Sequence, residues 1–154
     1  MKIIASLIVL STVLLSCGTE AKQSAMKPSP MSMVGTWQLL NATLIEKGDT
    51  TVTDYTKNQS FIKIINETHF AFLQHDLAQG KDTAVFVAGG GEYALKDSLY
   101  TEHLQYCSAR DWEGNDFTFQ VSIQNDTLVQ RGIEKVAEAG VDRTTIEKYV
   151  KVHQ

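Results

Sequence analysis

Apolar and polar positions alternate with a period of two over most of the chain beyond residue 34, and turn chemistry cuts the alternation into short lengths. The clearest length is Phe117, Phe119, Val121 and Ile123, interleaved with Thr118, Gln120 and Ser122. Gly114-Asn115 precedes it and Asn125-Asp126 follows it. The same arrangement recurs along the chain. TWQLLNATLIE and TTVTDYT flank Gly48-Asp49, SFIKII and HFAFLQH flank Asn66-Glu67, and EYAL and SLYTEHLQYC flank Lys96-Asp97. TAVFVA runs into Gly89-Gly90-Gly91, and TLVQRGIEKV and TTIEKYVKV flank Glu138-Ala139-Gly140. The pattern predicts an all-β fold of about 8–10 strands. Consecutive strands joined by short turns pair antiparallel as a meander, and closing the meander into a barrel removes exposed edges. One helical turn is expected, around Ser32 to Gly35, and the polar tract from Ala78 to Asp82 reads as a loop.

The first 33 residues follow a different pattern. Met1-Lys2 is followed by IIASLIVLSTVLLS, fourteen apolar or small hydroxyl residues, and no charge appears until Glu20. A basic start, a short apolar segment and a small residue before a cut describe a signal peptide. The run is shorter than the ~20 residues that cross a membrane. Its end, Leu14-Leu15-Ser16-Cys17, resembles the bacterial lipobox, in which the cysteine receives a diacylglyceryl group and becomes the mature N-terminus. Residues 1–16 are therefore expected to be a lipoprotein signal peptide and Cys17 the lipid attachment point, carrying palmitate-type acyl chains. Several acyl chains are needed for a firm hold, because one chain anchors only weakly. Gly18 to Ser32 holds both prolines and no aromatic residue, so 17–33 reads as a lipidated tether and 34–154 as the folded domain. Gly18 also stands where an Asp often retains lipoproteins at the inner membrane, which places the expected anchor in the outer membrane of a bacterial envelope.

Composition narrows the function classes. With Cys17 modified, Cys107 is the one cysteine left, so no disulfide is expected. The 14 basic and 18 acidic residues are scattered. No basic patch with interleaved aromatics speaks for nucleic acid. The four histidines, His69, His75, His103 and His153, lack the spacing of a metal site. Gly89-Gly90-Gly91 lacks the Lys and Ser/Thr of a phosphate loop and reads as a bend or bulge. No metal, cofactor or catalytic triad is expected.

Val34-Gly35-Thr36-Trp37 gives a Gly-x-Trp at the start of the meander. This resembles the opening motif of lipocalins and lipocalin-like proteins, and the chain is most similar to small lipocalin-like bacterial lipoproteins. The series GEY, YTEH, GNDFTF and IEKYVKV carries the same resemblance. It lacks the disulfide and C-terminal helix of better-known lipocalins. The resemblance implies a barrel in which Gly35 follows a short helix, Trp37 packs across the floor, and a late basic residue covers the Trp, with Arg131 or Lys148 as counterparts. It also implies a small, partly apolar ligand.

The ligand-binding candidates come from one strand face. Tyr100, Glu102, Leu104 and Tyr106 share a phase in SLYTEHLQYC, and Tyr93 lies in the strand before. Facing inward, they would give a pocket with hydroxyls and one carboxylate to orient a ligand. Alternatively, Glu102 faces solvent or is a structural partner of Arg131 or Lys148. The leading expectation is a membrane-tethered, non-enzymatic binder of a small hydrophobic or amphipathic molecule. The alternatives are a small barrel isomerase or hydratase using Glu102, and an accessory lipoprotein with a filled barrel.

Overall fold

The computed structural model describes residues 31–81 and 83–153. The expected signal segment, Cys17 and most of the tether lie outside the described residues. Ten strands follow one another: β1 (Gly35–Glu46), β2 (Asp49–Asp54), β3 (Gln59–Ile65), β4 (His69–Asp76), β5 (Phe86–Lys96), β6 (Leu99–His103), β7 (Tyr106–Cys107), β8 (Asp116–Gln124), β9 (Thr127–Val136) and β10 (Val141–Lys151). All pairings are antiparallel. The path β10-β9-β8-β6-β5-β4-β3-β1 closes because β10 also pairs with β1, from Trp37 opposite Lys151 to Ile45 opposite Thr144. The result is a closed, eight-stranded antiparallel barrel, the architecture the alternation predicts.

Two short strands complete the wall. The first half of β1 pairs with β3 and its second half with β2. β5 pairs with β6 through one half and with β7 at Gly89 and Gly90. Each wall position is thus filled by two strand pieces in series. The ladder of β1 also carries a bulge between Leu39 and Asn41. The extra residue flips the phase, so Leu39 and Ala42, three apart, are both buried.

Turn chemistry sets the register. Asn125 and Asp126 both take positive φ, 44° and 59°, between β8 and β9, the geometry that a two-residue hairpin turn requires. Asn66 Oδ1 accepts the backbone N–H groups of Thr68 and His69 and folds the β3–β4 turn.

The helical turn expected at Ser32–Gly35 does not form. Residues 31–34 are irregular, and the one 3-10 turn among the described residues is Arg110–Trp112. The Met33 carbonyl is instead taken by Trp37 Nε1 at 2.7 Å. Gly35, with φ of 145°, then turns the chain directly into β1. Met33 is 1% exposed and belongs to the core. The floor of the barrel is packed by Met33, Trp37, Leu39, Ile65, Phe70 and Leu128. The opposite half, bounded by the start of β10, the end of β9 and the Arg110–Trp112 turn, holds the polar interior.

Candidate functional site

A chain of five buried or half-buried side chains crosses the middle of the barrel. Lys63, on β3, points inward between Phe61 and Ile65 and is 3% exposed. Its Nζ donates to Glu102 Oε1 at 2.6 Å and to Gln130 Oε1 at 3.1 Å. The Gln130 amide then donates through Nε2 to Glu147 Oε2 at 2.6 Å, and the Tyr149 hydroxyl donates to the same oxygen at 2.6 Å. A buried ammonium must be paired and hydrogen-bonded. Lys63 is both, and its Nζ also lies 5.4–5.9 Å from the ring centroids of Phe70, Tyr100 and Tyr149, within cation–π range.

A second pair stands nearer the barrel end. Arg143 Nε donates to Glu134 Oε2 at 2.7 Å, and the Arg143 guanidinium lies 5.4 Å from the Trp112 ring centroid. Trp112 in turn packs on Phe117 at 5.7 Å. Asn115 Nδ2 donates to the Trp112 carbonyl at 3.0 Å and holds the turn in place.

Between the two groups lies a cavity of about 310 Å³. Its walls are the rings of Tyr55, Phe61, Phe72, Trp112, Phe117 and Phe119, and its polar lining is Lys63, Gln74, Glu102, Gln130, Glu134, Arg143, Glu147 and Tyr149. That volume is at the low end of small-molecule sites, about 300–1,000 Å³. Burial dominates the protonation behaviour around it. Burial raises the Glu134 carboxyl above its ordinary value, against the lowering effect of Arg143, and the charges of Glu147 and Glu102 add to the rise. Burial, then the Glu147 charge and hydrogen bond, hold the Tyr149 phenol well above its ordinary value. Burial and the Glu102 charge do the same for Tyr100, whose hydroxyl has no hydrogen-bond partner among the described residues.

The structure separates the residues singled out from the sequence. Glu102 faces inward and lines the cavity, but its partner is Lys63. Arg131 and Lys148 are both exposed. Tyr100 is fully buried beside the network. Tyr93 packs on Tyr100 at 5.3 Å and donates its hydroxyl to the Asn66 carbonyl at 2.8 Å, away from the cavity. Tyr106 was expected to share the inward face and does not: it is 69% exposed. The strand breaks between His103 and Tyr106, so the phase slips and Cys107 takes the buried position, with Leu104 buried in the break. Gly91 makes the break possible, because a Cβ there would stand 2.0 Å from the His103 carbonyl oxygen.

Trp37 is buried in the core and Gly35 stands beside it at the start of β1, whereas Arg131 is exposed. The cation over the Trp37 ring is Lys151, at 5.5 Å, and its aliphatic stem crosses Gly35, where a Cβ would meet Lys151 Cε at 3.0 Å. Arg131 falls on the outward phase of β9, between buried Gln130 and half-buried Gly132, and cannot reach the floor. Sequence reasoning missed Lys63, Gln130, Glu134, Arg143 and Glu147. The available signal was phase: Gln130 and Glu134 are in phase with Leu128 and Val136, and Glu147 with Tyr149.

Among the described residues, no cluster of His, Cys, Asp and Glu is arranged to hold a metal ion. A closed eight-stranded meander barrel with a small polar-and-aromatic cavity is compatible with a lipocalin-like fold. The chain matches no model of a known protein family and no curated protein.

Proposed function

We propose that the protein is a lipid-anchored, lipocalin-like component of a bacterial envelope, most simply of the outer membrane, whose barrel binds one small, partly apolar molecule. The observation that carries the binding reading is the cavity of about 310 Å³ above the Lys63–Glu102 pair. A barrel filled by side chains for structure alone has no need of such a space. Aromatic walls supply apolar burial worth roughly 25 cal/mol per Å², and the polar groups on one side orient the ligand. The anchoring reading is supported by the sequence alone, through the run ending at Cys17.

Two measurements test the two halves separately. Full-length protein purified in mild detergent from cells that make it, and sprayed under native conditions, is expected to carry a reproducible added mass that denaturation removes. A folded barrel with no such adduct would argue for a structural role. Cys17→Ser is expected to abolish incorporation of labelled palmitate and to release the protein from the membrane pellet. Unchanged labelling would end the anchoring proposal.

A further inference from the structure

The charges inside the barrel do not balance. Lys63 is committed to Glu102 at 2.6 Å, and Arg143 to Glu134 at 2.7 Å. The third carboxylate, Glu147, forms no ion pair among the described residues. Its two hydrogen bonds come from neutral donors, the Gln130 amide and the Tyr149 hydroxyl, and both fall on Oε2. Gln130 is oriented by its neighbours: its carbonyl oxygen is held by the Lys63 ammonium and its amide nitrogen by Glu147. The network therefore keeps Lys63 on the Glu102 side and leaves Glu147 as the uncompensated charge of the cavity wall. Glu147 is half-buried and lines the cavity, where a carboxylate with no counter-charge attracts a cation more strongly than it would in open water.

The apolar part of the wall suits the same missing partner. Phe61 stacks on Phe72 with centroids 5.7 Å apart, and Tyr55 and Tyr149 meet Phe61 edge-on at 5.8 Å and 6.4 Å. Ring faces carry negative electrostatic potential and attract cations. After burial, the Glu147 charge is a cause of the upward shifts of Tyr55, Tyr149 and Glu134, as expected in a region of net negative potential.

We propose that the ligand of this cavity is a small organic monocation, an amine with an apolar or aromatic body, whose ammonium group pairs with Glu147 while its body lies against Phe61, Phe72 and Trp112. This rests on the reading of the barrel as a binding protein and specifies the ligand class. A neutral lipid or a fatty acid leaves Glu147 unpaired, and a fatty acid adds a second uncompensated charge beside it.

The test is calorimetric titration of the full-length protein with three probes of similar shape: phenethylamine, 2-phenylethanol and 3-phenylpropionate. Phenethylamine is expected to bind at least tenfold more tightly than the alcohol, with the carboxylate weakest. Glu147→Gln, which keeps the acceptor for Gln130 and Tyr149, is expected to weaken phenethylamine at least tenfold and to change 2-phenylethanol less than threefold. Equal or tighter binding of the alcohol or the carboxylate overturns the proposal, and so does binding of none of the three. A persisting native mass adduct in that last case would keep the cavity as a binding site for a ligand of another charge, so the two readings fail separately. If the variant does not fold, the ranking of the three probes on the unaltered protein decides.

Discussion

Lys63 Nζ and Glu102 Oε1 meet 2.6 Å apart across the inside of the barrel, from strands that are not neighbours. β3 and β6 are separated in the wall by β4 and β5. The contact therefore spans the interior rather than running along the sheet, and it divides the packed floor from the cavity.

Breaking that pair one-sidedly strands a charge. Lys63→Met is expected to lower stability by about 3–5 kcal/mol, because Glu102 is then left buried without a partner. The double replacement Lys63→Met with Glu102→Leu removes both charges and is expected to recover most of the loss. Urea unfolding of the two variants beside the unaltered protein measures both effects. A double variant no more stable than Lys63→Met would mean that the pair contributes through more than charge compensation.

The cation on the barrel floor gives a sharper contrast. Lys151 lies over Trp37 at 5.5 Å, while Arg131 is exposed on the outer wall. Lys151→Ala is expected to cost about 0.5–2 kcal/mol from the lost cation–π contact. Arg131→Ala is expected to stay within about 0.5 kcal/mol of the starting protein. Chemical denaturation followed by circular dichroism separates the two, and the reverse ranking would return the floor role to Arg131.

These contrasts show where the sequence was legible. The alternation around Phe117–Ile123 and the Asn125-Asp126 turn lead directly to β8, β9 and their hairpin, because a strand with one wet face must alternate. Strands with apolar residues on both faces carry no such information. In SFIKII, Ile62 and Ile64 flank Lys63, and nothing local says that the lysine, rather than the isoleucines, points inward. Lys63 and Glu102 meet only across the barrel interior, and Gln130 and Glu147 face each other across the β9–β10 hairpin, so both partnerships are properties of topology and register that residue spacing does not show. Tyr106 was misplaced because a break in a strand leaves the alternation on each side intact. The sign of that break stood in the preceding strand, in Gly89-Gly90-Gly91.

The triple glycine is accordingly expected to be intolerant of side chains. A Cβ at Gly91 would fall 2.0 Å from the His103 carbonyl oxygen and 2.9 Å from the Gln105 nitrogen, both backbone atoms that have no rotamer to yield. Gly91→Ala should cost at least the ~1–3 kcal/mol typical of overpacking. It should also disturb the β6–β7 break. Amide exchange is the measurement of choice: the Gln105 N–H, which donates to the Gly90 carbonyl at 3.0 Å, is expected to lose protection. Retained protection at Gln105 would show that the wall absorbs the methyl group elsewhere.

Buried phenols make the barrel sensitive to alkali. The ordinary value for tyrosine is 10.0, and both Tyr149 and Tyr100 are raised above it in the folded state, first by burial and then by neighbouring carboxylates. A group that holds its proton more tightly when folded contributes stability that is full below its unfolded value. That contribution declines as pH rises above about 10, where the unfolded chain loses the proton and the folded one does not. Of the five tyrosines, Tyr100 and Tyr149 are expected to ionise only as the barrel unfolds. Tyrosinate absorbance recorded with circular dichroism during an alkaline titration should show those two appearing together with loss of β structure. Tyr149→Phe forfeits the hydrogen bond to Glu147 and is expected to cost about 1.5–3 kcal/mol at neutral pH, as for a bond to a charged group. Above pH ~10 that deficit should shrink, since phenylalanine has no proton for the unfolded state to release. A deficit that stays constant with pH would mean that the Tyr149 phenol ionises inside the intact barrel.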